Sequence, residues 1–360
     1  MRAGFLLDPD IVYLNHGGYG ACSSEVFAEY QRWQRELEGQ PTDFLLRKLN
    51  RWFWETSPAP RLLDSARASL ATFVGASADD LVFVPSATSG LNAVIRSLRI
   101  RPEEEVLTTG HEYGAIMRTW KFVRANLVVC DPEDLVSQIG LRTRAILVSH
   151  LSSPTALVLP VEAICAAARK AGVLSIVDGA HAPGHIPLDV GAVGADVYAG
   201  NCHKWLCAPK GSGFLWARPE HQEWIEPLVI SWGYHEEADF GERHSWPGTH
   251  DPSAYLAVPK AIEVHATFDL EAMASLADLA ARGLSELGLE ILPGVPAPFM
   301  RAVELPHGNP HALWRRLYEE HRVEVPVYEW EGRRLLRVSI GPYNDESDVD
   351  RLVAALRVLL

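Results

Sequence analysis

The sequence predicts an α/β protein with a largely parallel sheet, followed by a smaller α+β unit. Short apolar segments alternate with helical patterns between residues 81 and 216, as in proteins whose parallel strands are joined by helices. A compact β-α-β-β-α pattern then fills residues 299–359, after a Pro-Gly break. At 360 residues the chain is long enough for two domains of ordinary size.

Seven apolar segments are expected to form the sheet of the large domain. They are Leu81–Val84, Glu105–Thr108, Leu127–Val129, Ala145–Ser149, Leu174–Val177, Asp196–Ala199 and Gly213–Trp216. Helical patterns separate several of them, for example Leu91–Leu98 and Val161–Ala171. The second pattern ends in Lys170-Ala-Gly172, and a basic residue followed by glycine is a common end of a helix.

The two ends of the chain predict a second unit. Residues 11–14 are predicted to be extended, a Gly-rich turn follows, and a helix begins at Ser23 or Ser24. A long helical stretch runs from Ala254, and the C-terminal pattern then predicts strands at 299–305, 323–328 and 334–340 and helices at 310–321 and 346–359. We therefore expect an N-terminal segment (1–45) that packs with the small domain, a large domain (46–255) and a small domain (256–360). The ligand is expected in the cleft between the two domains.

Composition and charge exclude several classes of function. The chain has 33 basic and 46 acidic residues and a net charge of −13, whereas a nucleic-acid binder needs surplus Lys and Arg to neutralise phosphates. No apolar run approaches the roughly 18 residues of a membrane span, and the first residues lack the core of a signal peptide. Five cysteines are too few, and odd in number, for a secreted disulfide framework. We expect a cytoplasmic protein without nucleic-acid or membrane partners.

The strongest local signal is a lysine at the end of a predicted strand. In Asp196-Val-Tyr-Ala-Gly-Asn-Cys-His-Lys-Trp205 the strand leads into a turn that carries Lys204. Ligands of α/β proteins bind beyond the carboxyl ends of the strands. Between His203 and Trp205 the amine would be partly desolvated, which lowers its pKa and leaves a nucleophile suited to a Schiff base. Taken alone, such a lysine is more often a solvated loop residue.

A buried acid ends the preceding strand. Asp178, in Leu174-Ser-Ile-Val-Asp-Gly-Ala-His181, follows an apolar run, and a buried carboxylate is costly without a partner. A protonated pyridine nitrogen is one such partner, and the carboxylate would keep that ring an electron sink. A structural or metal-binding aspartate is the alternative. His181 either reaches a phenolate oxygen of the ring or is a hydrogen-bonded core histidine.

A third element has the chemistry of a phosphate site. The segment Val82-Phe-Val-Pro-Ser-Ala-Thr-Ser-Gly-Leu-Asn92 is a strand, a turn of small residues and a helix start, whose free N–H groups and dipole favour an anion. Capping of the helix by Thr88 or Ser89 explains the same residues. The pattern G-x-x-x-x-G-K-[ST] is absent, so no nucleoside-triphosphate loop is expected, and the Gly-rich turn at 17–20 lacks the third glycine of a dinucleotide fingerprint.

Arg337 lies in a predicted strand of the small domain. Alternation along Arg334–Ile340 puts Leu336, Val338 and Ile340 on one face and Arg337 on the other. An arginine on that second face can reach the cleft and bind a carboxylate through two hydrogen bonds. A solvated strand face is the alternative.

The phosphate turn, the buried aspartate and the lysine occur in that order, each at a strand end. Together they resemble a fold-type I pyridoxal-phosphate (PLP) enzyme. The finer motifs are similar to the class V aminotransferase family, in particular its isopenicillin N epimerase-like branch. The motifs that carry the resemblance are Leu14-Asn-His-Gly-Gly18, Ser86-Ala-Thr-Ser-Gly-Leu-Asn92, His111-Glu-Tyr-Gly-Ala115, Val177-Asp-Gly-Ala-His181, His203-Lys-Trp-Leu-Cys-Ala-Pro-Lys-Gly211, Gly248-Thr-His-Asp-Pro-Ser253 and Arg337-Val-Ser339.

The resemblance implies a set of cofactor residues. Lys204 would hold PLP as a Schiff base, Asp178 would pair with the ring nitrogen, and Tyr113 would stack on the ring; these three are the expected catalytic residues. The other expected cofactor contacts are His181, Ala87, Thr88, Asn201, His203, Thr249 and Ser153. Asn201 stands where the family often has serine, and its amide can still donate to phosphate.

The resemblance also implies the substrate and the assembly. Thr249 would reach the phosphate of a neighbouring subunit, which implies a homodimer with active sites at the interface. Arg337 would bind the carboxylate of an amino-acid substrate, with Asn15 and His16 beside it. No metal site is expected, because Cys202 and Cys207 lack a second pair with zinc-ligand spacing.

The reaction is left open by these residues. Transfer of the substrate's Cα proton to Lys204 is the first step of epimerases, of C–S lyases of the ergothioneine-pathway type and of aminotransferases. The epimerase is the leading hypothesis, and a non-catalytic protein that keeps the fold is the alternative of another class. An epimerase needs a second proton donor, for which Tyr113, His111 and His16 are candidates. Cysteine desulfurases of this family use a cysteine in the small-domain half, and none follows Cys207.

Overall fold

The computed structural model describes residues 2–49 and 61–360. Its strands are β1 (Val12–Tyr13), β2 (Leu81–Val84), β3 (Glu105–Thr109), β4 (Asn126–Cys130), β5 (Thr143–Ser149), β6 (Leu174–Gly179), β7 (Val197–Asn201), β8 (Gly213–Ala217), β9 (Glu290–Ile291), β10 (Met300–Leu305), β11 (Val323–Glu324), β12 (Val327–Trp330) and β13 (Arg333–Ser339).

Helices connect these strands. They are α1 (His16–Tyr19), α2 (Ser24–Gly39), α3 (Pro41–Asp43), α4 (Leu62–Phe73), α5 (Ala87–Ser97), α6 (Gly114–Phe122), α7 (Val161–Lys170), α8 (Val190–Val193), α9 (Pro219–Gln222), α10 (Phe240–Ser245), α11 (Ser253–Leu256), α12 (Val258–His265), α13 (Leu270–Glu286), α14 (Pro310–His321) and α15 (Glu346–Leu359). A π-helical turn covers Phe44–Leu49, and 3-10 turns cover Arg2–Gly4 and Ala78–Asp80. No helix in the described part of the chain is both long and apolar enough to cross a bilayer.

The large sheet contains the seven predicted strands in the order β2-β8-β7-β6-β5-β3-β4. The five strands from β7 to β4 are parallel, and β8 is antiparallel to both of its neighbours. Strands β6 and β7 are buried along their whole length, which explains why each is apolar at most positions rather than at every second one. The predicted α/β class and mostly parallel sheet are confirmed.

Register brings the carboxyl ends of the central strands together. Ser149 at the end of β5 pairs with Asp178 in β6, and Asp178 pairs with Ala199 in β7. Strand β8 is antiparallel to both β7 and β2. Its first residue, Gly213, pairs with Val84 at the end of β2 and with Asn201 at the end of β7. The helix start after β2 therefore lies at the same edge as Asp178 and Asn201.

The C-terminal part forms a second, antiparallel sheet in the order β12-β13-β10-β9, against which α13 and α14 pack. The strand predicted at 323–328 is wrong as a single element. Its first part, β11, pairs in parallel with β1, whereas β12 pairs with β13. The chain divides at Pro326, which has no N–H to donate to a ladder. Strand β9 was not predicted.

Two other local predictions are corrected. The helical stretch from Ala254 is three helices, α11, α12 and α13, and the last begins where the Asp269 carboxylate accepts a hydrogen bond from the backbone of Ala272. The predicted Gly-rich turn is instead the short helix α1, which ends at Gly20. The domain boundaries at 45/46 and 255/256 stay a prediction.

Candidate active site

Asp178 lies at the carboxyl end of β6 and is 5% exposed. One carboxylate oxygen, Oδ1, accepts the backbone N–H of Ala180 at 2.9 Å. Burial raises the pKa of Asp178, while the Ala180 N–H and the charge of Lys204 oppose the rise. This carboxylate therefore favours a positively charged partner, as the sequence predicted.

Lys204 lies in the turn after β7, near Asp178. Burial is the main reason that the pKa of Lys204 falls to about 7, and the charge of Arg337 lowers it further, against the opposing charge of Asp178. At neutral pH a substantial fraction of the side chain is therefore uncharged amine. A solvated loop position is excluded by this environment.

His181 connects this lysine to a tryptophan. The Trp205 indole N–H donates to Nδ1 of His181 over 3.2 Å, and Nε2 of the same ring is 3.0 Å from Nζ of Lys204. Because Nδ1 accepts, the proton of the neutral ring lies on Nε2, which donates to the amine. Burial lowers the pKa of His181 well below its ordinary value, so the ring is neutral. To accept this hydrogen bond from His181, the Lys204 amine must be uncharged and have a free lone pair.

His16 is buried behind the turn that carries Lys204 and does not line the open cleft. Its Nε2 donates to the backbone oxygen of Lys204 at 3.1 Å, and its Nδ1 accepts from the Tyr343 hydroxyl at 3.0 Å. Burial lowers the pKa of His16 to about 3. With both nitrogens bonded, His16 supports the backbone of Lys204, which differs from the substrate contact and the second proton donor expected from the sequence. Asn15 donates through Nδ2 to Glu324 at 3.3 Å, and its buried Oδ1 has no partner among the described residues.

The glycines next to His16 allow this close packing. Gly20 has a φ of +67°, and a Cβ there would lie 1.9 Å from the backbone oxygen of His203. A Cβ on Gly17 would lie 2.9 Å from Oγ of Ser339. The glycines of this motif therefore allow the turn that carries Lys204 to pack directly against the backbone of α1.

The helix start at α5 forms one wall of the site. Ser86, and not Thr88 or Ser89, is the N-cap, since its Oγ accepts the backbone N–H of Ser89 at 3.2 Å. The backbone N–H of Ala87 donates to Oδ1 of Asn201 at 2.8 Å. Asn201 thus joins β7 to the helix start, and its amide group is left to donate toward an anion.

His203 is fixed beside this wall. Its Nδ1 donates to the backbone oxygen of Ser212 at 3.1 Å. Burial lowers the pKa of His203 to about 4, with a further contribution from Lys204. The ring is neutral, and Nε2 is its acceptor nitrogen.

Arg337 is buried, with 5% exposure, although it carries a positive charge. Its Nη1 donates to both the backbone oxygen and Oγ of Ser153, at 2.6 and 3.0 Å. Nε has no hydrogen-bond partner, and no carboxylate forms an ion pair with this guanidinium within residues 2–49 and 61–360. Burial lowers the pKa of Arg337. A solvated strand face is excluded, and the unpaired buried cation is suited to bind an anion.

The loop at 152–156 is held between the two sheets. The Tyr328 hydroxyl donates to the backbone oxygen of Pro154 at 2.6 Å, and Nδ1 of His111 lies 2.9 Å from Oγ1 of Thr155. Ser153 therefore faces Arg337, whereas the sequence placed it among the cofactor contacts. His111 also packs on Trp330, with 5.2 Å between ring centroids, so His111 is a part of this wall.

Tyr113 and Thr249 differ from the other candidates in their exposure. Tyr113 is 49% exposed at the N-terminus of α6, and its phenol acts on the charge of Arg337. Thr249 lies on an exposed loop beside Gly248, and no hydrogen bond joins it to the other site residues in the described part of the chain. The structure thus brings Lys204, Asp178 and Arg337 together and leaves Thr249 apart.

Sequence reasoning missed one buried acid. Glu112 lies inside the motif His111–Ala115 and is 6% exposed. The sequence does carry a signal for this acid: Glu112 comes shortly after strand β3, just as Asp178 comes at the end of the apolar run of β6. Tyr343, which positions His16, carries no comparable signal in the sequence.

These residues fit PLP, the cofactor expected from the sequence. An uncharged lysine amine suits the cofactor's aldehyde, and a buried carboxylate suits a protonated ring nitrogen. The N-terminus of α5 and the amide of Asn201 offer donors to a phosphate.

Comparison with known proteins gives the same assignment. The sequence profile described as Aminotransferase class-V matches residues 54–352. Isopenicillin N epimerase of Streptomyces clavuligerus is 34% identical over 99% of this chain and 97% of its own length. The epimerase of the same name from Amycolatopsis lactamdurans is 35% identical over 98% and 96% of the two chains. Hercynylcysteine sulfoxide lyase of Schizosaccharomyces pombe is 30% identical over 65% of this chain and 61% of its own length.

Solved structures share the fold. A cysteine desulfurase from Thermococcus onnurineus NA1 has a TM-score of 0.82 at 18% identity, over 99% of this chain and 96% of that chain. A C-DES mutant with glycine covalently linked to its PLP cofactor has a TM-score of 0.82 at 22% identity, over 99% of both chains. The predicted fold-type I architecture is confirmed.

Proposed function

The chain belongs to the aminotransferase class-V family of PLP-dependent enzymes, and from that premise we propose that it is an amino-acid epimerase. Its substrate is an amino acid, or the amino-acid side chain of a small conjugate. The observation that carries this proposal is the uncharged amine of Lys204, held by His181 and placed near both Asp178 and the unpaired Arg337.

The cofactor of the protein is PLP. When bound, it supplies an aldehyde that takes up the substrate's amino group and a ring that withdraws electrons from Cα. Asp178 would accept a hydrogen bond from the ring nitrogen and stabilise its positive charge. The backbone N–H of Thr88 at the α5 start and the amide group of Asn201 would donate to the phosphate. Ala87 and His203 would line this site without donating to it, because the Ala87 N–H is bonded to Asn201 and Nε2 of His203 is an acceptor.

The substrate is positioned by its carboxylate. Arg337 keeps the contacts of Nη1 with Ser153 and offers Nε and Nη2 to the two carboxylate oxygens, which gives Nε the partner that it lacks. Lys204 then removes the proton from Cα, because a substantial fraction of its amine is uncharged near neutral pH and the His181 N–H orients its lone pair.

Epimerisation requires a proton donor on the face opposite Lys204. Among the three candidates from the sequence, His16 has both ring nitrogens bonded within the protein. His111 has Nδ1 bonded to Oγ1 of Thr155, which itself donates to Ser152; Nδ1 therefore carries the proton, and Nε2 of the neutral ring has none to give. The Tyr113 hydroxyl has no hydrogen-bond partner among the described residues, and Tyr113 lies near Arg337. We assign the second proton transfer to Tyr113.

A C–S lyase is the second candidate function, supported by the similarity to hercynylcysteine sulfoxide lyase. An aminotransferase shares the same first step. A desulfurase that works through a cysteine persulfide is disfavoured, since no cysteine follows Cys207 in the sequence. A non-catalytic protein would not need the uncharged lysine and the unpaired arginine.

The assembly is proposed to be a homodimer. Exposed apolar side chains follow one another at Leu228, Val229, Ile230 and Trp232. Leu228 and Val229 line the same cleft as Ser89 of α5 and His250, which follows Thr249. A second copy would cover this surface and bring its Thr249 to the phosphate site, and sedimentation of the holoprotein as a monomer would contradict the assignment.

The reaction is tested by incubating the PLP-loaded protein in heavy water with a panel of L- and D-amino acids and with isopenicillin N. We expect solvent deuterium at Cα together with inversion, and neither in Lys204→Ala. Formation of a keto acid that depends on an amino acceptor supports the aminotransferase instead. Release of pyruvate with a sulfur product supports the lyase. If the wild type inverts Cα and Tyr113→Phe still exchanges the Cα proton with solvent but does not invert it, the result supports Tyr113 as the second proton donor.

A further inference from the structure

Glu112 is a second buried carboxyl near the site, and the proposed reaction leaves it unused. It follows β3 in the loop before α6 and is 6% exposed. Oε1 accepts the hydroxyl of Thr109 at 2.7 Å, and Oε2 accepts the hydroxyl of Ser149 at 2.6 Å. The backbone N–H of His111 donates to Oγ1 of Thr109 at 3.1 Å, which leaves the Thr109 O–H to donate to the carboxyl.

Ser149 connects Glu112 to Asp178. It is the last residue of β5 and the register partner of Asp178 in β6. Side chains of paired residues on neighbouring strands project from the same face of a sheet. One serine therefore neighbours both carboxyl groups, and the negative charge of Asp178 acts on Glu112.

Within residues 2–49 and 61–360, no cation is among the groups that act on Glu112. On its own loop, burial lowers the pKa of His111, and directly after β5 burial lowers the pKa of His150 to about 4, so both rings are neutral near pH 7. The charged group that faces it from β6 is Asp178. Burial, the largest effect, and Asp178 raise the pKa of Glu112 to about 7 against the two hydroxyls that lower it.

We propose that Glu112 is a positioning residue that tunes the charge of Asp178. When Glu112 is ionised, its negative charge adds to the potential that Asp178 presents, across Ser149, to the ring nitrogen of PLP. Because a nearby negative charge favours the protonated form of a base, ionised Glu112 keeps that nitrogen protonated to higher pH. This inference rests on the role proposed for Asp178.

The test is a titration of the absorption spectrum of the PLP-loaded protein against pH. Glu112→Gln keeps the shape and removes the charge, and we expect the midpoint of the cofactor's spectral change to fall by about one pH unit. The matched control is Asp196→Asn, another buried acid of the same sheet, which precedes β7 at the opposite edge and accepts from Ser175. We expect its midpoint to equal that of the wild type. Equal midpoints in Glu112→Gln and the wild type would overturn the inference.

A second measurement does not need the cofactor or the stability of Glu112→Gln. Infrared difference spectra of the wild-type apoprotein should show a protonated carboxyl that ionises near pH 7. In Ser149→Ala this transition should move to higher pH, because the anion loses a hydroxyl donor. The inference would be contradicted if the wild-type protein showed no such transition. It would also be contradicted if the transition had the same midpoint in Ser149→Ala as in the wild type.

Failure of this inference is separable from failure of the proposed function. Asp178→Asn and Lys204→Ala are expected to alter the absorption of bound PLP. If they do and Glu112→Gln does not, only the role of Glu112 is wrong. If neither changes the spectrum, the roles of Asp178 and Lys204 are wrong as well.

Discussion

The hydrogen bond between His181 and Lys204 runs from the imidazole to the amine. Nε2 and Nζ are 3.0 Å apart, and the direction is set on the other side of the ring, where Trp205 donates to Nδ1. An ammonium group could not accept this bond, so the local structure itself favours the uncharged lysine. Burial acts in the same sense and brings the pKa to about 7.

The first prediction concerns the uptake of PLP by the apoprotein. The uncharged amine is the nucleophile, and a lysine whose pKa is about 7 loses it as the pH falls. We expect the rate constant of PLP uptake to level off above pH 8 and to fall about tenfold for each pH unit below 6. Stopped-flow absorbance measures this rate, with Lys204→Ala as the blank. A rate that changes less than twofold between pH 6 and 8 would contradict the lowered pKa.

The second prediction concerns Trp205→Phe. Without the indole N–H, Nδ1 of His181 is free to carry the proton, and Nε2 can then accept from a lysine ammonium. The pKa of Lys204 should rise by about one unit, the equivalent of one hydrogen bond, and the uptake profile should move upward with it. Trp216→Phe is the control, because Trp216 is buried in β8 and its N–H has no partner among the described residues. A profile that moves equally in both variants would show a packing effect only.

The third prediction compares two glycines that have nearly the same positive φ. Gly20 has a φ of +67° and would bring a Cβ within 1.9 Å of the His203 oxygen, while Gly172 has a φ of +69° and open space around it. Gly172→Ala should cost about 1 kcal/mol of unfolding free energy, from the left-handed backbone alone. Gly20→Ala should cost about 3 kcal/mol or more, and weaken PLP binding as well. Chemical denaturation measures the free energy of unfolding, and a PLP titration measures the affinity for the cofactor. Equal unfolding costs in the two variants would mean that the turn carrying Lys204 can shift to accommodate a Cβ at Gly20.

The fourth prediction concerns the unpaired arginine. Arg337→Lys keeps the charge but loses the planar pair of donors, so we expect KM to rise about tenfold to a hundredfold while kcat falls less. Arg334→Lys on the same strand is the control, since Arg334 donates to the backbone oxygen of Pro306 on the exposed side. Steady-state kinetics on an accepted amino acid measures both. An unchanged KM in Arg337→Lys would remove the carboxylate role.

The sequence was sufficient for the large sheet because its strands are continuous apolar runs and their helices have clear ends. It was also sufficient to place Asp178 and Lys204 at the same edge, since parallel strands end together. It failed where one residue interrupts a pattern, as at Pro326, which divides a predicted strand between two sheets. It also failed for partners that are distant in the sequence. Nothing local to residue 16 indicates that His16 accepts from Tyr343.

That last pair has a consequence for how the protein is made. His16 and Tyr343 are separated by 327 positions, and the backbone of Lys204 is bonded to the ring that joins them. Closing so long a loop is slow, and it cannot occur before residue 343 has been synthesised. A nascent chain on the ribosome can already contain the complete large sheet with an unsupported lysine turn. Competence to hold the cofactor therefore arises only late in synthesis, after most of the hydrophobic core exists.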